Sequence, residues 1–189
     1  LITLFDASGA WVAENDDAIG LNSRLDLADP LPPGSYCIAV QALSDASAPI
    51  TLKVGDFDAT GAMQVQFETG NMAPPLDGSY PVINAGSLQT RLRQDAMIDG
   101  ATTWFSFDVP EYGLVVVEAI ATSEGGDPHL VLFDDLGRKL TENDDTGEGL
   151  DSMVAARLNR GTYLFGVKDI ASSAPVPVRL ALERFVPAE

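Results

Sequence analysis

Short apolar stretches that end in turn-forming residues dominate the second half of the chain. The segments "TTWFSFDV" at 102–109 and "GLVVVEAIA" at 113–121 are rich in β-branched and aromatic residues, and the intervening "PEYG" has the composition of a turn. Further stretches of the same kind are "LQTRLR", "HLVLF", "RKLTE", "DSMVAARL", "GTYLFGV" and "PVRLALERF". Each of these segments is predicted to form a β-strand.

The spacing of these segments predicts an all-β fold. About eight strands are expected between Ser87 and Phe185, which is typical of a β-sandwich of the jelly-roll type. No segment carries a sustained helical stripe of apolar residues with capping residues at its ends. The segments "SRLDLAD" at 23–29 and "DSMVAARL" at 151–158 also fit one turn of helix, and we interpret them as strands.

Two parts of the chain resemble each other closely. The stretch "LITLFDASGAWVAENDDAIGLNSRL" at 1–25 matches "HLVLFDDLGRKLTENDDTGEGLDSMV" at 129–154, and "LPPGSYCIAV" at 31–40 matches "LNRGTYLFGV" at 158–167. A repeat of this length with only short insertions indicates two copies of one domain. The fold predicted for the whole chain is therefore a pair of tandem β-sandwich modules.

The first copy is predicted to be incomplete. The counterparts of "LQTRLR", "TTWFSFDV" and "GLVVVEAIA" would lie ahead of Leu1, and a sandwich that lacks strands exposes a core face and unpaired edges. Either upstream residues complete it, or another segment does. The alternating "AMQVQFE" at 62–68 is the candidate strand from within the chain. We expect an incomplete module at 1–70, a linker rich in Pro, Gly and Asn at 71–86, and a complete module at 87–189.

Composition and charge narrow the possible partners. With 46% hydrophobic and 21% charged residues the chain has enough apolar material for a core. The 28 acidic residues against 11 Lys and Arg give a formal charge of −17, which argues against nucleic acid and anionic lipid and favours cations. Cys37 is the only cysteine, so no disulfide forms within the chain, and it reads as a small buried hydrophobe. No apolar run is long enough to span a membrane.

The tetrapeptide "ENDD" occurs at 14–17 and again at 142–145, each time ahead of glycines. Calcium takes six to eight oxygen ligands, and loops of Asp, Asn and Gly can bring short carboxylates and carbonyls together. The predicted ligands are Asp127, Asn143, Asp144, Asp145 and Asp151 in the second copy and Asp16, Asp17 and Asn22 in the first. The alternative is that these residues only form turns, as Asp6 and Asp134 are expected to do in the hairpins.

Catalysis is not indicated. His129 is the only histidine, and no Gly-x-Ser-x-Gly stretch is present, so a serine hydrolase is not expected. Trp11 and Trp104 could stack on sugar rings, but isolated tryptophans in β domains more often belong to the core. The chain is therefore expected not to be an enzyme.

The quoted motifs resemble a known family. The run "DPHLVLFDDLGRKLTENDDTGEGLDS" followed by "LNRGTYLFGV" is similar to the bacterial pre-peptidase C-terminal domain, a β-sandwich module that follows many extracellular peptidases. The resemblance covers 80–185 in full and the later part of the domain in 1–54. It implies a secreted, cell-surface or periplasmic accessory module without catalysis, and its collagenase relatives bind calcium and collagen.

The expected function is that of a secreted accessory or spacer pair with calcium-stabilised loops, within a larger extracellular protein. One alternative is a module that binds an extracellular protein or polysaccharide. Another is a subunit of an extracellular assembly, in which a neighbouring chain donates strands to the first copy.

Overall fold

The computed structural model describes residues 1–16, 18, 22–42, 49–147, 149–171 and 174–186. The chain divides into two compact units, Leu1–Val65 and Gln66–Glu189. In the first unit the strands are β1 (Ile2–Asp6), β2 (Trp11–Asn15) and β3 (Tyr36–Val40), and a helix α1 (Ala59–Thr69) runs across the division. In the second unit the strands are β4 (Ile83–Ser87), β5 (Arg91–Ile98), β6 (Thr103–Val109), β7 (Gly113–Ala121), β8 (Pro128–Asp134), β9 (Lys139–Asn143), β10 (Ser152–Leu158), β11 (Gly161–Asp169) and β12 (Val176–Phe185).

The second unit is a β-sandwich, as predicted. One sheet has the order β10-β7-β12-β5 and the other the order β4-β6-β11-β8-β9, with β4 and β6 parallel and the other pairs antiparallel. All eight strands expected from the sequence form, because each combines β-forming residues with neighbours on the sheet. The side chains between the two sheets are fully buried and include Phe105, Phe107, Val115, Val117, Leu130, Leu132, Phe165, Val167, Leu180 and Leu182.

The outer face of the five-stranded sheet is also covered. Trp104, Val131, Phe133 and Leu164 are buried there, with Ala73, Tyr80 and Val82 packed against them. The indole N–H of Trp104 donates a 2.9 Å hydrogen bond to the carbonyl oxygen of Phe67. Ala73, Tyr80 and Val82 of the stretch expected as a linker at 71–86 thus pack on this sheet, and most of β4 lies in that stretch. The bounds of the two repeats stay a prediction.

The prediction of a strand at 62–68 is wrong, because these residues belong to α1. The Asp58 carboxylate accepts a 3.0 Å hydrogen bond from the N–H of Gly61, as an N-cap residue does. At the other end Gly70 has a φ of +79°, and the N–H of Asn71 bonds to the carbonyl of Gln66, which is how a glycine ends a helix. Asp58 and Gly70 were the sequence signals of this helix. No helix in the described ranges is long and apolar enough to cross a membrane.

The prediction of a strand at 23–29 is also wrong, since the structure forms no strand there. Its counterpart in the second unit is β10, which among the described strands pairs only with β7. No counterpart of β7 exists in the described part of the first unit. A strand without a neighbour leaves its backbone groups unpaired, so the apolar pattern alone does not hold it extended.

The three strands of the first unit repeat part of the second. Their order, β2-β1-β3, corresponds to β9-β8-β11, and the register shift at Leu4 and Phe5 recurs at Leu132 and Phe133. Cys37 is exposed, contrary to expectation. Its counterpart on β11 is Leu164, which is buried by the outer layer of the second unit.

The hairpin turn after β1 has the same geometry as the turn after β8. One carboxylate oxygen of Asp6 accepts hydrogen bonds from the N–H groups of Ser8 and Ala10, at 2.8 and 2.9 Å. The matching oxygen of Asp134 accepts bonds from Leu136 and Arg138, at 3.1 and 2.9 Å. The turn-capping role predicted for Asp6 and Asp134 is confirmed.

Asp134 provides a test of this turn. Burial raises the pKa of its carboxyl, but bonds from the Arg138 side chain and from backbone N–H groups outweigh burial, so the pKa is lower than usual. A lowered folded-state pKa stabilises the fold above the unfolded pKa, and this contribution is lost as the pH falls through the folded-state value. We expect Asp134→Asn to lower the free energy of unfolding by about 1–3 kcal/mol at neutral pH. Urea unfolding should show this difference shrinking below about pH 4.

Asp135, the next residue, is exposed, so Asp135→Asn serves as the control and should change the free energy of unfolding little. A deficit of Asp134→Asn that stays constant down to strongly acidic pH would contradict the assignment.

Gly166 provides a second test. A Cβ atom added there would lie 2.5 Å from Thr102 Cγ2 and 3.2 Å from the Trp104 ring. We expect Gly166→Ala to lower the unfolding free energy by about 1–3 kcal/mol through overpacking. Gly161→Ala on the same strand is the matched control, since its nearest neighbour would be 3.6 Å away. Equal thermal unfolding of the two variants would refute this account of the outer layer.

Candidate metal centre

Strand pairing brings several acidic residues to one end of the five-stranded sheet. Asp127 immediately precedes β8, and Asp169 is the last residue of β11, where it pairs with Pro128. Asn143 is the last residue of β9 and pairs with Leu130, so Asp144 and Asp145 follow at the same end. Because β8 lies between β9 and β11, the three strands together place these carboxylates near one another.

Asp127 is held firmly by its backbone. The Asp127 N–H donates a 2.6 Å hydrogen bond to a carboxylate oxygen of the buried Asp169. The Asp127 carbonyl oxygen accepts a 2.9 Å hydrogen bond from the N–H of Ile170. The pKa of the Asp127 carboxyl is raised, first by burial and then by the charges of Asp145, Asp169 and Asp144. The negative charges in this group therefore repel one another, and a cation would relieve that repulsion.

Among the residues that the structure describes, three buried side-chain oxygen atoms in this part of the chain have no hydrogen-bond partner. They are Oδ1 of Asp127, Oδ1 of Asn143 and Oγ1 of Thr146. Leaving a buried polar atom unsatisfied costs about 1–3 kcal/mol, and such atoms are rare in native proteins. Oxygen atoms of this kind are also the ligands that calcium prefers. These residues therefore fit a hard cation.

The carboxylates are close but do not converge on one point. Asp144 and Asp145 have exposed side chains. Within the described ranges, no three His, Cys, Asp or Glu side chains are arranged so that they could hold a metal ion. A cation here would accordingly need amide, hydroxyl or backbone oxygens beside the carboxylates.

Asp151 is placed differently from the other predicted ligands. Its Oδ1 accepts a 2.9 Å hydrogen bond from the N–H of Ala121, the last residue of β7. Together with Thr146 and Glu118 it lines a shallow groove of about 200 Å³. One oxygen of Asp151 is thus already used to hold the end of a strand.

The matching loop of the first unit differs. Asp16 and Asn22 are exposed, and their carbonyl oxygens accept bonds from the Ser23 hydroxyl and the Ala18 N–H, respectively. Asp17 lies outside the described residues. Asn15 corresponds to Asn143, and its Oδ1 accepts a 3.1 Å bond from the N–H of Arg24. The side-chain oxygen that is orphaned in the second unit is therefore satisfied in the first.

Asp169 and Thr146 were missed by sequence reasoning. Their counterparts in the first unit are Ala42 and Ala18, so the repeated acidic motif does not include them. The position of Asp169 at the end of β11, beside the start of β8, was the signal that could have identified it.

The other residues considered for chemistry have structural surroundings. His129 is largely buried on β8, 3.8 Å from Glu142, and its pKa is lowered by burial and then by the charge of Lys168. Trp104 is buried in the outer layer, which excludes it as a stacking surface, whereas Trp11 is exposed on β2.

Comparison with known proteins gives likenesses of fold. No family model and no curated protein matches the chain. The pre-peptidase C-terminal domain of collagenase from Bacillus anthracis matches with 13% identity over 56% of this chain and 100% of that chain, at a TM-score of 0.44. PliG from Aeromonas hydrophila, a periplasmic inhibitor of g-type lysozyme, matches with 16% identity. This match covers 56% of this chain and 100% of that chain, at a TM-score of 0.39. The C-terminal CBM6 of LamC from Zobellia galactanivorans matches with 15% identity over 50% of this chain and 91% of that chain, at a TM-score of 0.27.

Crowding of negative charge at Asp127 leads to a prediction for the metal-free protein. In the presence of a chelator we expect Asp127→Asn to raise the midpoint of thermal unfolding at neutral pH, because it removes the charge that Asp145, Asp169 and Asp144 repel. Asp95→Asn is the control. Asp95 lies 3.0 Å from Arg179, so its loss should leave the midpoint unchanged or slightly lower. A lower midpoint for Asp127→Asn in chelator would contradict the assignment.

Proposed function

We propose that the chain is a secreted, non-catalytic accessory or spacer element of two related β-sandwich modules, the second of which binds calcium at the end of β8, β9 and β11. The observation that carries the proposal is the group of three buried oxygen atoms on Asp127, Asn143 and Thr146, which lack a hydrogen-bond partner in the described part of the chain. They lie in the part of the sandwich where the Asp127 charge is crowded by other carboxylates.

Calcium suits this place better than other ions. The available donors are carboxylate, amide and hydroxyl oxygens, which favour hard cations, and the sole His and Cys cannot supply the nitrogen and sulfur ligands of a usual zinc site. Magnesium demands a tighter octahedral arrangement and keeps more of its water. The net charge of −17 also favours a cation over any anionic partner.

The calcium would stiffen a loop rather than drive folding. Extracellular calcium modules bind with dissociation constants of about 10⁻⁴–10⁻³ M. At ten times that concentration, binding adds about 1.4 kcal/mol of stability. The proposed ligands are the side-chain oxygens of Asp127, Asn143 and Thr146, with Asp144 and Asp145 as the neighbouring carboxylates. Asp169 holds the Asp127 backbone in place. Asp151 and the first-copy residues Asp16, Asp17 and Asn22 remain weaker candidates.

Several features support two modules of the pre-peptidase C-terminal type. The sequence repeat is accompanied by the same strand order and the same turn in both units. In both, a tyrosine hydroxyl bonds back to a carbonyl four residues earlier, Tyr36 to Pro32 at 2.8 Å and Tyr163 to Asn159 at 3.1 Å. A secreted, cell-surface or periplasmic location and the absence of catalysis are part of the proposal.

A second candidate is a module that binds a polysaccharide or an extracellular protein. It is favoured by Trp11, whose side chain is 64% exposed on a β-strand, where its ring could stack on a sugar. Binding to a glycan or collagen array that disappears in Trp11→Ala, while folding is unaffected, would support it over a pure spacer.

Calcium titration tests the main proposal. We expect the thermal midpoint of the metal-free chain to rise as calcium is raised from about 0.1 to 10 mM, because only the folded state offers the site. Asp144→Ala and Asp145→Ala should weaken this rise, and Asp127→Asn should abolish most of it. Terbium luminescence or calorimetry with calcium alone gives the affinity directly.

Asp135→Ala is the matched control, since it removes one exposed carboxylate from the opposite end of the β8–β9 hairpin. Its response to calcium should equal that of the parent. A parent midpoint indifferent to calcium, or an equal loss of response in Asp135→Ala, would refute a specific site and leave the fold unaffected.

A further inference from the structure

The sequence repeat extends past β3 to a segment that has no strand partners in the described ranges. The stretch "PITLKV" at 49–54 matches "PVPVRL" at 175–180, which lies largely in β12. In β12 the residues Val178 and Leu180 are 1% and 0% exposed. Their counterparts Leu52 and Val54 are 45% and 78% exposed. The same apolar alternation is therefore buried in one unit and open to solvent in the other.

The face of the first sheet shows the same difference. Ile38 and Val40 on β3 are 41% and 38% exposed, whereas the matching Phe165 and Val167 on β11 are both 0% exposed. The register is the same in both, since Leu4 pairs with Ile38 as Leu132 pairs with Phe165. In the second unit this face packs against the four-stranded sheet.

Backbone pairing points to the same deficit. In the second unit β11 pairs with β6 at the edge away from β8, and β12 lies between β7 and β5. Within the described ranges, β3 pairs only with β1, and residues 49–54 pair with no strand. The counterpart of β10, at 23–31, lacks the neighbour that β7 provides. Taken together, the neighbours that these three segments lack correspond to β5, β6 and β7.

We propose that the first unit is an acceptor for one three-stranded segment of the same polypeptide, which precedes Leu1 and corresponds to Arg91–Asp127. In the second unit β5, β6 and β7 are consecutive and lead directly into β8, the counterpart of β1. A second copy of this chain does not fit, because its own β5, β6 and β7 are already paired with β12, β11 and β10. This inference is independent of the calcium site.

The template defines how the segment binds. A strand like β6 adds antiparallel to the open edge of β3, and strands like β5 and β7 pair on either side of 49–54. Ile38, Val40, Leu52 and Val54 then enter a closed core. The strand like β7 also draws 23–31 into the sheet.

The test extends the full chain at its N-terminus with a copy of its own residues 87–127. Hydrogen–deuterium exchange is followed at those amides of 36–40 that face away from β1, and at the amides of 49–54. We expect exchange in both to be fast in the parent and to slow by about 100-fold or more in the extended chain, because pairing closes these amides. The β8 and β11 amides of the second unit report in each case that the protein is folded.

Two controls make the test specific. An extension carrying Phe105→Asp and Phe107→Asp in the copied strand should give no slowing. Ile38→Asp with Leu52→Asp should abolish the slowing in the extended chain and leave the parent unchanged, since these side chains are exposed in the parent.

A second extension, with its outward-facing positions replaced by Thr and Lys, guards against a copy that aggregates. Fast exchange at the same amides of 36–40 and 49–54 in both extensions, with the second unit still protected, would overturn the proposal. Slow exchange of the same amides in the parent would also overturn the proposal, because the open face of the first sheet would then already be covered. This holds whether light scattering shows the parent to be a monomer or a dimer.

Discussion

A β-strand in a sandwich depends on two kinds of cover at once: hydrogen-bonding neighbours along its edges and apolar side chains against its face. In the second unit β11 has both, with β6 and β8 at its edges and Phe165 and Val167 buried against the opposite sheet. Its counterpart β3 has one neighbour within the described ranges and an open face. Much of what distinguishes the two units follows from this difference in cover, since their turns and their shared strand order agree.

The same dependence explains how far the fold could be predicted from the sequence. The strands of the second unit were found because apolar alternation and available neighbours coincide there. At 23–29 the alternation is present but the neighbour is not, so no strand forms, and a local pattern cannot reveal a missing partner. At 62–68 an alternation of Met63, Val65 and Phe67 suggested a strand, but the capping Asp58 and the terminating Gly70 decided for a helix.

The candidate metal centre was predictable in part for a similar reason. The duplicated "ENDD" pointed to the right end of the sandwich, because local loop composition can be read from the sequence. Asp169 could not be found by comparing copies, since it reaches Asp127 only through the pairing of β11 with β8. Comparison of the repeated sequences identifies the positions that the two units share, and Asp169 and Thr146 are not among those positions.

The place of β12 in the four-stranded sheet has a consequence for biosynthesis. This strand is the last of its module to be made, yet it lies between β7 and β5 rather than at an edge. In a nascent module emerging from a ribosome or a translocation channel, the edges of β7 and β5 that pair with β12 would therefore stay unpaired until β12 appears. Closure of the core is postponed to the end of synthesis, and the waiting intermediate exposes two unsatisfied strand edges to chaperones and to other nascent chains.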